Sequence, residues 1–412
     1  MSEYPFEQQL HNYADVAVKI GVNLQAGQRL IVRGPIEAAP LIRLITVSAY
    51  QAGAKLVDVI WSDDAVTLAR FQYAPRDSFE EYPTWQAKGL IEAAQRGDAF
   101  IAIHATDPDL LKEQDSDLVA LTQRTHQRHL QEYFAHIMSD KVNWCVISYP
   151  VASWAARIFP EVPTEQQVEK LGAAILTICR ADQPDPVAVW QAHTQQLAAR
   201  CDFLNAKQYT ALKYTAPGTD LTVGLVANHI WHGGQKETLT GIPFIPNVPT
   251  EEVFTMPHKD RVEGVVTSTK PLSYAGVLIE NFRLKFVEGK IVEFAAERGE
   301  AVLRKLIETD EGAARLGEVA LVPHNSPIAQ SGVLFYNTLF DENASSHLAV
   351  GRAYRFCIEG GPQMSNEEFA AVGGNDSLTH VDFMIGSEAM DIDGLLADGT
   401  TEPLMRAGEW VN

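Results

Sequence analysis

At 412 residues, with 46% apolar and 21% charged side chains, the chain has the make-up of an ordinary globular protein, exceeds what one hydrophobic core usually holds, and excludes disordered and fibrous classes. Its formal charge of −20 argues against nucleic acid or an anionic membrane as partner, since both reward clustered Lys and Arg. No run reaches the roughly 18 apolar residues of a membrane span, and the start of the chain lacks a basic segment followed by an apolar one, so a cytoplasmic protein is expected.

Phe6, Leu10, Tyr13, Ala14, Ala17 and Ile20 recur at helical spacing and predict an amphipathic first helix. From Gln28, QRLIVRGP reads as a strand, residues 38–53 as a helix closed by Gly53, and KLVDVIWSD as a second strand. DAFIAIHATDP from Asp98 and VNWCVISYP from Val142 repeat the pattern of an apolar strand followed by a polar turn, as a parallel sheet covered by helices requires. The loop after the first strand, RGPIEAAP, carries neither GxGxxG nor GxxxxGKS/T, so no nucleotide cofactor is expected. His126 and His129 lack a carboxylate at ligand spacing and read as solvent-facing.

Residues 164–207 hold two helical stretches around ADQPDP, after which alternation, turns and β-branched residues take over. The boundary is expected near residue 200, with an α/β scaffold domain over 1–200 and an α+β domain over 201–412, mixed and largely antiparallel. In the second half VEGK reads as a hairpin turn and EAVLRKLIETD as a helix. NHIWHGG has the character of a pocket wall, which makes Trp231 and His232 pocket candidates. Cys145, Cys179, Cys201 and Cys357 are far apart and form no CxxC pair, so reduced core thiols are expected.

Four segments of the second half gather acids, histidines and small residues at turn signals: PNVPTEEVFTMP (246–257), GEVALVPHNSPI (317–328), LFYNTLFDENASSHLAVGRAYRF (334–356) and LTHVDFMIGS (378–387). They supply Glu251, Glu252, Glu318, Asp341, Glu342, His347, His380 and Asp382. Carboxylates mixed with neutral imidazoles suit zinc, cobalt or manganese, and a two-metal centre needs a bridging carboxylate with further ligands for each ion. On a strand, His380 and Asp382 point to the same face and so can meet one ion. The bland alternatives are a surface pair for His380 and Asp382, and a helix start capped by Thr250 for Glu251 and Glu252. Glu318 lies in an apolar, strand-like run, where an unpaired carboxylate is costly.

NVPTEEVFT, Glu318 within GEVAL, LFYNTLFDENASSHLAVG with Tyr354 seven residues after His347, and HVDFMIG together resemble the thermophilic aminopeptidase family that includes aminopeptidase T, aminopeptidase S and PepS. The resemblance implies Glu252, Glu318, His347, His380 and Asp382 as ligands of two divalent ions per subunit, which are zinc, cobalt, manganese or magnesium, with Glu251 as rival to Glu252. It also implies Tyr354 as a further active-site residue and a C-terminal domain that carries the metal site. The expected substrates are short peptides with a free N-terminus, enclosed within a homodimer. In such a site Tyr354 suits an oxyanion donor, and Glu252 or Glu251 suits proton transfer to the leaving amine. The competing readings are a metal-dependent amidohydrolase or dipeptidase on another substrate, and a non-catalytic peptide-binding oligomer; HExxH is absent.

Overall fold

The apolar runs of the first half become the strands Arg29–Pro35, Leu56–Ser62, Ala99–His104 and Trp144–Ser148 in a computed structural model that describes residues 5–411 apart from 106, 108 and 276. They pair in parallel, in the spatial order second, first, third, fourth. Leu30, Val32, Ile101 and Ile147 are fully buried, because the helices Ala39–Gln51, Thr84–Arg96 and Ser116–Met138 that connect the strands cover the sheet. The chain leaves the first strand in one direction and crosses back to the third in the other, so its winding reverses between them. The helix Phe6–Asp15 buries Leu10, Tyr13 and Ala14 as the spacing predicts and continues as one π-helical turn, Val16–Gly21.

This compact unit runs to His193 and takes back Gln235–Pro249, held in part by the Val146 N–H donating to the Pro246 carbonyl at 2.7 Å. His126 and His129 are half-buried rather than solvent-facing. His126 shares its helix stripe with the buried Leu130, Tyr133 and Ile137, and Tyr82 stacks on His129 at 5.1 Å.

The other unit comprises Thr194–Gly234 and the chain from Thr250 onward. Its larger sheet has eight strands in the order Lys290–Ala295, Arg283–Val287, Pro257–Thr267, Thr219–Leu225, Ala211–Ala216, Asp391–Leu395, Thr401–Arg406 and Glu409–Trp410, joined by antiparallel pairings. The VEGK turn forms as expected, with Glu288 and Gly289 at φ of 49° and 76°, the left-handed pair that a two-residue hairpin demands. A smaller antiparallel sheet aligns His380–Met384, His347–Gly351, Leu316–Leu321 and Val253–Thr255. One buried cluster joins Leu316, Val319, Leu348, Val350 and Phe383 of this sheet to Leu284, Phe286 and Trp231.

A parallel-sheet half followed by a mixed, largely antiparallel half is therefore the observed architecture. All four cysteines are buried, and among the described residues they form no disulfide. Among the described residues no helix is long and apolar enough to cross a membrane.

In the smaller sheet the pairing slips by one residue, so that Leu316 faces Val350 while Glu318 faces Ala349. Gly317 is the extra residue of this bulge, and a Cβ there would meet the carbonyl oxygens of Arg352 and Gly351 at 2.3 Å. Gly89, on the helix Thr84–Arg96, has nothing within 4 Å of a built Cβ. Gly317→Ala is expected to lower the unfolding free energy by on the order of 1–3 kcal/mol through overpacking. Gly89→Ala is expected to raise it by about 0.5–1 kcal/mol by relieving the helix of a glycine. Urea titration of both variants checks the pair, and a shift of equal sign would contradict the close approach at Gly317.

Candidate metal centre

Strand alternation divides the smaller sheet into two unlike faces. One face presents Leu316, Val319, Leu348, Val350 and Phe383 to the core. The opposite face is read from the register. Phe254, Ala320, His347 and Met384 lie in one row; Glu318, Ala349 and Asp382 lie two residues on; Gly351 and His380 lie two further. Ala320, Ala349 and Gly351 on the two inner strands stand among the longer side chains of these rows, so the floor between them is low. The bulge at Gly317 places Glu318 on this face, as bulges commonly re-aim one side chain.

Over this floor the carboxylate and imidazole atoms of Glu252, Glu318 and His347 lie within 4.8 Å of one another, and so do those of Glu318, His380 and Asp382. His347 Nε2 stands 3.3 Å from Glu252 Oε2 and 3.4 Å from Glu318 Oε1. His380 Nε2 stands 3.4 Å from Asp382 Oδ1 and 3.9 Å from Glu318 Oε2. Each imidazole is oriented from behind, with Nδ1 of His347 at 3.2 Å from the Ser345 carbonyl and Nδ1 of His380 at 2.6 Å from that of Arg352. A proton on each Nδ1 then leaves Nε2 facing the cluster, the arrangement common behind metal-bound histidines.

The electrostatics of the pocket are unbalanced. Burial, resisted by His347 and reinforced by the Asp382 charge, pushes Glu318 up to about 7. Burial and then the charges of Glu252 and Asp382 drive Glu342 well above the carboxylate range. Burial works against protonated histidine, yet the facing Asp382 outweighs it and lifts His380 to about 9, while Glu252 and Glu318 lift His347 well above the ordinary imidazole value. Asp382 is held low, because the neighbouring His380 overcomes the effect of burial. Four carboxylates thus crowd two imidazoles, and among the described residues the buried oxygens Glu252 Oε2 and Asp382 Oδ1 accept no hydrogen bond. This donor set fits divalent cations: it supplies oxygen and imidazole nitrogen, it is short of positive charge, and its spacings are near the roughly 3.4 Å that separates two ligands about 2.1 Å from one ion.

Glu251 lies outside both clusters among the described residues; it is buried, with its N–H donating to Asn343 Oδ1 at 2.7 Å. The segment that follows is the strand Val253–Thr255, not a helix. The Tyr354 ring is 4.7 Å from that of His380 and stacks on Phe356 at 5.2 Å. Burial, then the charges of Glu318 and Asp382, raise its hydroxyl far above the ordinary phenol value. Asp341 is occupied in accepting the N–H groups of Phe335 and Asn337 at 2.7 and 2.9 Å. Trp231 is core, whereas His232 contacts the Phe356 carbonyl through Nε2 at 2.9 Å and so braces the aromatic group beside the centre. Glu342 shares the electrostatics of the centre; the sequence offered it only as one of several acids in its segment.

A family model described as thermophilic metalloprotease (M29) matches residues 6–410. Aminopeptidase 2 of Geobacillus stearothermophilus is 50% identical over 98% of this chain and 98% of its own. Aminopeptidase AmpS of Bacillus subtilis (strain 168) is 51% identical over 98% of this chain and 99% of its own. The solved structure of wild-type AmpT from Thermus thermophilus superimposes with a TM-score of 0.93 at 43% identity, covering 99% of this chain and 100% of that one.

Metal ligands must shed their protons to bind, and without metal the facing carboxylates lift His347 well above the ordinary imidazole value and His380 to about 9, while burial lifts Glu318 to about 7. Metal binding at pH 7 is therefore expected to release protons, and the apparent affinity to rise as pH climbs towards 9. Calorimetry of metal binding in buffers of differing ionisation enthalpy reads this directly. Binding without proton release would contradict the assignment of these imidazoles.

Proposed function

The chain belongs to the thermophilic metalloprotease family M29, and from that premise we propose that it is an aminopeptidase that removes the N-terminal residue of short peptides at a centre of two divalent ions. Glu252, Glu318, His347, His380 and Asp382 are the ligands in this reading. The observation that carries it is Glu318, whose carboxylate belongs to both clusters, so that it could serve an ion in each. When bound, such ions lower the pKa of a water and polarise the scissile carbonyl. Oxygen and imidazole donors of this kind accept zinc, cobalt, manganese or magnesium.

The side chains divide the remaining work. His347 and His380, fixed through Nδ1, hold Nε2 towards the centre. Tyr354 keeps its proton at physiological pH, because burial and the nearby carboxylates oppose ionisation, and donates to the oxyanion that forms at the attacked carbonyl. Glu252 is the ligand that carries the proton to the leaving amine; Glu251 lies outside the clusters. A free α-amine offers a nitrogen lone pair that such a centre could accept and an acylated one lacks, which makes the activity that of an exopeptidase. Phe254, Tyr354 and Phe356 form a half-buried aromatic group beside His380 and receive the side chain of the first residue. A homodimeric, cytoplasmic enzyme is the form of this proposal that the family resemblance supports.

The purified protein is expected to hydrolyse leucyl substrates with a free amine and to leave N-acetylated ones intact. Chelation should abolish activity, and added zinc, cobalt or manganese should restore it. Glu318→Gln is expected to lower kcat/KM by about 10³-fold or more, roughly 4 kcal/mol of transition-state stabilisation. Full activity after exhaustive chelation, or equal turnover of acetylated substrates, would overturn the proposal. Phe356→Ala is expected to reduce kcat/KM for leucyl relative to alanyl substrates by roughly tenfold, the scale of a few methylenes in an apolar pocket. An unchanged ratio would remove the aromatic group from the substrate site.

A further inference from the structure

In open α/β sheets, ligands settle at the carboxyl ends of the strands where the winding reverses. In the first unit that place lies between Arg29–Pro35 and Ala99–His104, and Arg33 stands there, half-buried. Its neighbours in register are Ile60 and Ala102, so no acid flanks it on the sheet. Among the described residues Arg33 forms no ion pair, although the chain has 53 acidic against 33 basic residues. Asp64 accepts the Asp107 N–H at 3.1 Å, and Asp109 lies 3.7 Å from Arg157.

What surrounds the guanidinium is aromatic and neutral. It is within reach of the buried Tyr133 hydroxyl, and its charge acts on Tyr82, His104 and His126. Burial, and after it the Arg33 charge, hold both imidazoles below their ordinary value. Tyr82 stacks on His129 at 5.1 Å and meets His126 edge-on at 5.8 Å, which sets a group of rings beside the guanidinium.

We propose that this crevice binds a small oxyanion, a carboxylate or phosphate on a flat apolar body, gripped by the planar fork of Arg33 and the Tyr133 hydroxyl, with Tyr82 and His126 as its wall. A guanidinium matches such a group with two parallel hydrogen bonds. The loop after the strand, RGPIEAAP, has no glycine-rich backbone cradle, so the grip comes from side chains and suits one anionic group rather than a diphosphate. The site uses no residue of the metal centre.

Calorimetry of the full-length, metal-loaded protein with benzoate, phenyl phosphate and the neutral benzamide tests this. Either or both anions are expected to bind, and benzamide is not; the tighter anion tells a carboxylate source from a phosphate one. Arg33→Met is expected to weaken binding by on the order of tenfold or more, Arg33→Lys by less, and peptide hydrolysis without the anion should be unchanged in both. If Arg33→Met fails to fold, Tyr82→Leu serves in its place and should also weaken binding. Failure of both anions to bind, or binding that persists undiminished in the variants, overturns the site.

Discussion

The second unit is organised by a single electrostatic constraint: Glu252, Glu318, Glu342 and Asp382 are brought into one pocket where, among the described residues, His347 and His380 face them. Burying charge of one sign is among the costliest things a fold does. The expense is borne by the other side of the same sheet, where Leu316, Val319, Leu348, Val350 and Phe383 are packed into the core. A slip of one residue would exchange the two faces and put carboxylates into the core, so the apolar packing and the polar cluster enforce one register between them. The bulge at Gly317 is where the smaller sheet departs from regular pairing, and it lies beside the residue common to both clusters.

Much of this was legible because the sequence writes burial in its spacing. The continuous apolar runs at Ile31, Ile101 and Ile147 could hardly be anything but central strands of a covered parallel sheet, and H-x-D at His380 and Asp382 needed only period two to point both side chains one way. Other features depended on partners that no local pattern reveals. Whether Glu251 or Glu252 reaches the cluster is decided by the pairing of Phe254 with Ala320, a contact between distant segments. The closeness of Glu342 to the centre follows from a turn of chain between Phe340 and His347 that has no periodicity to read. His126 and His129 gave the appearance of a surface pair, because a stripe of Leu130, Tyr133 and Ile137 on the same helix becomes a buried face only once a sheet and Tyr82 are set against it.

The two units handle charge by different means. In the smaller sheet of the second, groups from neighbouring strands converge over short residues, and the histidines are steadied from behind by the carbonyls of Ser345 and Arg352. In the first, the geometry of a parallel sheet leaves a crevice where the strands end, and one arginine occupies it among rings. A face is suited to ions, which need ligands from several directions; a crevice is suited to a flat molecule entering from one.

The floor of the metal-centre face is made of Ala320, Ala349 and Gly351, none of which has a side-chain torsion that can change the height of the surface. Heating spreads the rotamers of longer residues, but it has nothing to spread here. The backbone span between Glu318 and Asp382, which flank Ala349 in one row, is set by the spacing of hydrogen-bonded strands. Such a floor works as a gauge block, holding the same gap between the strands that carry the facing groups over the temperature range in which the sheet itself survives.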